Sequence, residues 1–392
     1  MKDDRNIAEN YLIHTYNRYP IVFDYGKGVY LYDDTGKRYL DFASGIGVFA
    51  LGYGQQEYNQ ALKAQIDKII HTSNYFYSAP LANAAKKLVK ISNMKRVFFC
   101  NSGAEAIEGA IKIARKYGHV KKQLKESEII SLEHSFHGRS TGALALTGNI
   151  TYQEDFFPLM QGVKFAKLND IGSVKEKITD KTCAIILEPI QGEGGIYPAK
   201  REFLVELRKL CDERDILLIF DEIQCGMGRS GSMYVFQEYG ILPDVLTTAK
   251  ALGCGIPVGA FLVNERAEDI LEAGDHGTTY GGNPLACVAV DKVLDLFEKL
   301  QITEHVKKLT PYLESRLNEL VQNKETVIER RGKGFMQGLE LQIPAKGVIN
   351  KAIENGLIVL LAGTNVIRFL PPLIIEKHHI DEMFEILFEI LE

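Results

Sequence analysis

Two short apolar runs, 184–187 and 216–220, bracket one amphipathic segment and constrain this chain more than any other feature. Each run is unbroken by polar residues, as expected of a strand buried on both faces. Between them Phe203, Leu204, Leu207, Leu210 and Cys211 fall on one stripe at helical spacing. Strand, helix and strand make a βαβ unit, so the two strands should be parallel and joined by a right-handed crossover. In such sheets ligands sit beyond the carboxyl ends of the strands. Those ends are Glu188-Pro189 and Asp221-Glu222. Acids where strands leave a core are costly unless something positive meets them.

A candidate cation lies in PDVLTTAKALGCG, at 243–255. Val245 and Leu246 begin a third apolar run, which leads through small residues to Lys250 and a glycine-rich turn. A lysine in such surroundings gives up its proton readily and can attack a carbonyl. Taken alone, it is equally a solvated lysine at a strand end. Glu188, Asp221 and the loop before Lys250 should share one crevice. The loop 191–195, QGEGG, adds a mobile, acid-bearing segment.

Three more segments could meet a ligand. RVFFC at 96–100 reads as a strand and runs into Asn101-Ser102-Gly103-Ala104-Glu105, where a helix over 106–117 begins. Ser102 and Glu105 have capping-box spacing. Free N–H groups and the helix dipole would make this an anion site, or simply a well-capped helix. A strand over 128–132 leads to His134-Ser135-Phe136-His137-Gly138-Arg139. There an aromatic and an arginine could stack a flat ring and clamp a carboxylate, or be a core Phe beside a surface Arg. His134 and His137 form an HxxH pair without the further ligands a zinc site needs. The loop 276–284, HGTTYGGNP, is dense in glycine and hydroxyl groups and is a further candidate phosphate contact.

The hydrophobic pattern predicts a hairpin over 21–42, helices over 58–70, 81–89 and 286–300, and a strand over 257–263. Leu62, Ile66, Ile69 and Ile70 give the first helix its apolar stripe. After residue 300 the pattern changes to helices over 303–323 and 347–355. Strands are expected at 327–331, over GKGFMQGLEL, at 358–361 and around Arg368, with a last helix from His379. The chain thus divides into an N-terminal segment with the hairpin (1–56), a large α/β domain (57–300) and a small α+β domain (301–392). A formal charge of −5 gives no reason to expect nucleic acid or an anionic membrane as partner. No apolar run is long enough to span a bilayer, and the polar N-terminus has no secretory h-region. Six scattered cysteines without a CxxC pair read as reduced thiols of a cytoplasmic protein.

NSGAEA, SFHGR, EPIQGEGG, FDEIQCGMGR, Ala249-Lys250 and HGTTYGGNPLAC, in this order, resemble the class III (ornithine-type) pyridoxal-phosphate aminotransferases. The resemblance runs from RYP at 18–20 to RFLPPL at 368–373. It implies fold type I, with a mostly parallel sheet in the large domain and a small C-terminal α+β domain. It implies pyridoxal 5'-phosphate as cofactor, amino acids and 2-oxo acids as substrates, and a homodimer. Lys250 would bond to the cofactor's aldehyde and carry protons, and Asp221 would face the pyridine nitrogen. Gln224 would contact the phenolic oxygen, and Phe136 would stack on the ring. Glu188, Glu222 and Ile223 would complete the walls. Ser102, Gly103 and Ala104 would hold the phosphate, joined by Thr279 of the neighbouring subunit. Thr278 would line the substrate site and Arg139 would hold the substrate α-carboxylate. Glu193 would be a gate that pairs with Arg368 until a dicarboxylate binds, which implies ping-pong kinetics. No metal is implied.

Within the family, HTYNRYP, YLDFASGIGV, HTSNYFYS and the compact length point to members that move the δ-amino group of N-acetylornithine to 2-oxoglutarate. Ornithine, succinylornithine and 4-aminobutyrate are the alternative donors. Ile46 stands where ornithine δ-aminotransferases tend to carry a tyrosine, which turns the reading away from plain ornithine. LGYGQ at 51–55 and Cys254 depart from the usual family pattern.

Overall fold

A computed structural model describes residues 4–392. At its centre is a seven-stranded sheet. Its order is Arg96–Cys100, Gly259–Val263, Val245–Thr248, Leu217–Asp221, Thr182–Leu187, Glu128–Leu132 and Val163–Ala166. All neighbours are parallel except Gly259–Val263, which runs antiparallel to both of its own. The apolar runs at 184–187 and 216–220 are adjacent here, with Leu218 opposite Ile185 and Phe220 opposite Leu187. Helix Arg201–Glu213 joins them and buries the expected stripe. Every residue of Thr182–Leu187, Leu217–Asp221 and Val245–Thr248 is buried. This is why these strands carry no alternation. Their carboxyl ends deliver Glu188, Asp221 and Lys250 to one side of the sheet.

Two smaller sheets flank the centre. Strands Val327–Lys333, Met336–Leu341, Val366–Phe369 and Leu360–Ala362 form an antiparallel sheet in that order. Phe23–Lys27, Tyr30–Asp33 and Arg38–Asp41 form a meander, and Leu357–Ile358 adds to it in parallel beside Arg38–Asp41. The single strand expected at 358–361 is therefore two short ones that serve different sheets. The helix expected over 58–70 ends at Ile66, and Ile66, Ile69 and Ile70 are exposed rather than packed on the core. Among the described residues no helix is long and apolar enough to cross a membrane. All six cysteines are free and buried.

Candidate active site

Strand ends and helix starts converge on a cavity of about 390 Å³. Ser102, Gly103, Ala104, Phe136, Glu188, Glu193, Asp221, Ile223, Gln224 and Lys250 all line it. Residues drawn from five of the six quoted motifs thus line one cavity.

Lys250 stands directly after the buried strand Val245–Thr248 and Ala249. Its φ is +47°, a left-handed backbone that costs a non-glycine residue strain and persists where surroundings fix it. Burial of the amine, reinforced by the positive charge of Arg368, lowers its pKa to about 8. Glu193, Asp221 and Glu188 pull weakly in the other direction. The result is a lysine with a substantial neutral fraction near physiological pH.

Asp221 is 3 % exposed and fully engaged. Its Oδ2 faces His137 Nδ1 at 2.7 Å. Its Oδ1 accepts from the Ile223 N–H and the Thr247 hydroxyl, each at 3.1 Å. Glu188 accepts from the Phe136 N–H at 2.8 Å and the Gly192 N–H at 3.1 Å. Burial, with the Asp221 carboxylate adding to it, raises its pKa to about 7. Two buried acids therefore divide the work: one is held by a histidine, the other by backbone donors.

At one end of the cavity helix Gly103–Lys122 begins. Gly103 and Ala104 occupy the turn whose N–H groups have no intrahelical acceptor. Ser102 Oγ accepts from the Glu105 N–H at 3.2 Å. The expected reciprocal bond is shifted by one residue: Glu105 accepts from the N–H and side chain of Asn101. A Cβ on Gly103 would lie 2.9 Å from Ile223 Cδ1, so only glycine keeps this end open. At the other end Glu193 Oε1 meets Arg368 Nη1 at 2.9 Å. The same nitrogen reaches Gln224 Oε1 at 3.1 Å. The Glu193–Arg368 pair that the resemblance implied is formed.

Other predicted residues lie elsewhere. Glu222 does not face the cavity. Its two oxygens accept from Val235 and Phe236 N–H at 2.6 and 3.0 Å, capping the helix Val235–Tyr239. Successive side chains at a strand end point to opposite faces, so Asp221 and Glu222 cannot both enter. Arg139 is exposed at the rim, its guanidinium 4.1 Å from the Tyr152 ring centroid and 5.5 Å from that of Phe136. Thr278 accepts from Asn101 Nδ2 at 3.2 Å, and Thr279 is exposed outside the cavity. The loop 191–195, expected to be mobile, is instead tied down by backbone bonds on both sides: Gly192 N–H to Glu188 and Gly363 N–H to the Glu193 carbonyl. Among the described residues no group of three or more His, Cys, Asp or Glu could hold a metal.

Sequence reasoning missed His137 as the partner of Asp221, and Tyr152 as the platform for Arg139. The HxxH spacing bore on metal binding and not on Asp221, and nothing in the sequence marks Tyr152. Pyridoxal phosphate fits what is present. An enclosed amine and a carboxylate face one cavity, an aromatic ring forms part of its wall, and a helix N-terminus whose first two N–H groups, of Gly103 and Ala104, have no intrahelical acceptor closes one end, where an anion is stabilised.

Comparison with known proteins agrees. The family model described as "Aminotransferase class-III" matches residues 11–391. An acetylornithine aminotransferase of Methanocaldococcus jannaschii is 46% identical over 385 residues, covering 98% of this chain and 97% of that protein. The structure of a Toxoplasma gondii ornithine aminotransferase, with pyridoxal phosphate at partial occupancy, superposes with a TM-score of 0.95 at 29% identity, covering 99% and 93% of the two chains. An acetylornithine aminotransferase from Elizabethkingia anophelis gives 0.88 at 30% identity, covering 99% and 98%. The chain belongs to the class-III aminotransferases and is a pyridoxal-phosphate-dependent transaminase.

Proposed function

We propose that the chain moves the δ-amino group of N2-acetyl-L-ornithine to 2-oxoglutarate, giving N-acetylglutamate 5-semialdehyde and glutamate. The observation that carries this reading is the Glu193–Arg368 pair at 2.9 Å, closed at a cavity that Lys250 also lines. A paired Arg368 presents no free cation to a substrate tail that lacks a second carboxylate. An opened pair offers a bidentate fork to a dicarboxylate. One site can then serve a neutral acyl tail in one half-reaction and 2-oxoglutarate in the other. Full-length relatives at 44–46% identity that carry the name acetylornithine aminotransferase support the choice of donor.

Bound pyridoxal phosphate supplies an electron sink beside the carbon that carries the amine. The remaining roles belong to this chain. Lys250 Nζ, its pKa lowered to about 8, would hold the cofactor through its aldehyde carbon, whose oxygen leaves as water. Once displaced, it takes the proton from the substrate δ-carbon and returns one on the way to product. Asp221, held by His137, would face the pyridine nitrogen and keep its proton in place. Phe136 would cover the ring and Gln224 would meet its phenolic oxygen. Ser102, Gly103 and Ala104 would hold the phosphate. Arg139, free of carboxylate partners among the described residues, takes the substrate α-carboxylate.

We further propose a homodimer in which Thr279 reaches the neighbouring cofactor phosphate and Thr278 lines that substrate site. An apolar surface surrounds this loop. Tyr75, Phe76, Tyr77 and Tyr280 are exposed. Asn74 bonds to the Thr278 and Gly281 carbonyls, and His71 packs on Tyr280. A contiguous exposed apolar patch of this kind fits a protein interface. Six unpaired buried thiols favour a reducing, cytoplasmic setting.

The test is spectroscopic. Holoenzyme should lose its yellow band on addition of N-acetylornithine alone and regain it with 2-oxoglutarate. Ornithine, succinylornithine and 4-aminobutyrate are run in parallel. Bleaching by one of these, with N-acetylornithine inert, would reassign the donor.

A further inference from the structure

The gate loop rests on one row of the C-terminal sheet. Arg331 is opposite Gly338 in the ladder, and Gly338 is opposite Arg368. Residues directly opposite in an antiparallel ladder share a face. Arg331 and Arg368 therefore flank a position with no side chain. The loop 191–196 lies across this row. Arg331 Nε donates to the Gly195 carbonyl at 2.9 Å, and its guanidinium sits 4.2 Å from the Tyr197 ring centroid. Ile196, completely buried, fills the space above Gly338, where a Cβ would stand 3.0 Å from Ile196 Cγ1. Arg368 holds Glu193 at the far end of the row.

The backbone of the loop is strained where it meets the row. Gly195 has a φ of +121° and Ile196 of +60°. A β-branched residue at positive φ is an outlier that persists only when its surroundings over-determine it. On the opposite side, Gln191 Nε2 donates to the Glu133 carbonyl at 2.9 Å and the Gly192 N–H to Glu188 at 3.1 Å. A Cβ on Gly194 would come within 2.5 Å of the His134 carbonyl oxygen. The main chain is thus clamped from both faces. What retains freedom is the Glu193 side chain, one quarter exposed and joined to the protein through Arg368.

We propose that Arg331 and Gly338 are positioning residues for the gate: they fix its backbone, so that opening is a rotation of the Glu193 side chain rather than a displacement of the loop. The proposal rests on the reading of Glu193 and Arg368 as a gate. Loosening the clamp weakens the hold of Glu193 on Arg368, which favours dicarboxylates over donors with a neutral tail.

The experiment compares glutamate with N-acetylornithine as amine donor in single turnovers of holoenzyme, since both react with the same enzyme form. Gly338→Ala, which changes no charge, and Arg331→Met should each shift the ratio of kcat/KM toward glutamate about tenfold, the scale of one lost charge-assisted hydrogen bond. Arg331→Lys, which keeps a donor for Gly195, should recover part of the shift. A parallel fall for both donors in folded holoenzyme would mean a merely structural role and overturn the proposal. Arg331→Met also leaves Glu329 and Glu340 without their partner. If it does not fold, Gly338→Ala decides. Glu193→Gln separates the two levels: an unchanged ratio there removes the gate itself. A shift in Glu193→Gln with none in Gly338→Ala removes only the clamp.

Discussion

Lys250 carries the chemistry through two properties of one residue, a strained backbone and a buried amine. Replacing it with Ala should abolish the yellow band and lower the transamination rate by roughly 10⁴-fold or more, as loss of a covalent nucleophile and proton carrier does. Below its pKa of about 8 the amine is protonated and cannot attack. In cofactor-free protein, capture of added pyridoxal phosphate should therefore quicken as pH rises and level off above about 8, which stopped-flow absorbance would follow. His137→Phe should leave Asp221 with a backbone N–H and one hydroxyl and reduce kcat about 30- to 100-fold, the range for losing a hydrogen bond to a buried charge. The sequence made Lys250 and Asp221 legible because polar residues at the ends of apolar runs stand out. It hid His137 because the two partners are 84 positions apart, and spacing says nothing about such a pair. It also could not separate Asp221 from Glu222, since only the pleat decides which one turns inward.

At the scale of elements, Glu222 ties a strand end to a helix start. Burial raises its pKa from 4.5 to about 8, and that of Glu188 to about 7. Both acids take up protons on folding, so the stability they contribute is complete below 4.5 and is lost as pH rises through 7 and 8. The unfolding midpoint should accordingly fall between pH 5 and 8, and Glu222→Gln should flatten that slope in calorimetry. Hydrophobic period anticipated six of the seven strands of the central sheet and its long helices, but not the edge strand Val163–Ala166 or the short helices Thr141–Leu146, Ile171–Lys177 and Val235–Tyr239. Boundaries failed where apolar residues serve another surface. The stripe at Ile66, Ile69 and Ile70 extends the helical pattern past the helix end, because those side chains are exposed. The turn Ser44–Gly47 was equally opaque: Ser44, Gly45, Ile46 and Gly47 are all at positive φ. No sequence rule anticipates consecutive left-handed residues that are not all glycine.

For the whole molecule, the proposed homodimer, built on the face that exposes Tyr75, Phe76, Tyr77 and Tyr280, makes a prediction of its own. Lys250→Ala and Thr279→Asp should each be inactive alone. Mixed by unfolding and refolding together, they should recover about a quarter of wild-type activity, because half the dimers are hybrids and each hybrid has one intact site. If Thr279 serves its own subunit, no activity returns. The meander near the N-terminus carries a different consequence. Its strand Arg38–Asp41 pairs with Leu357–Ile358, and Tyr30 bonds to Glu382, 352 positions away. On the ribosome the first strands emerge long before their partner exists. They must wait, with an unpaired edge, until almost the entire polypeptide has been synthesised. A chain that stops short of residue 357 leaves that edge open to other copies. Premature termination or slow decoding near the 3' end of the message should therefore yield aggregates rather than a smaller soluble protein.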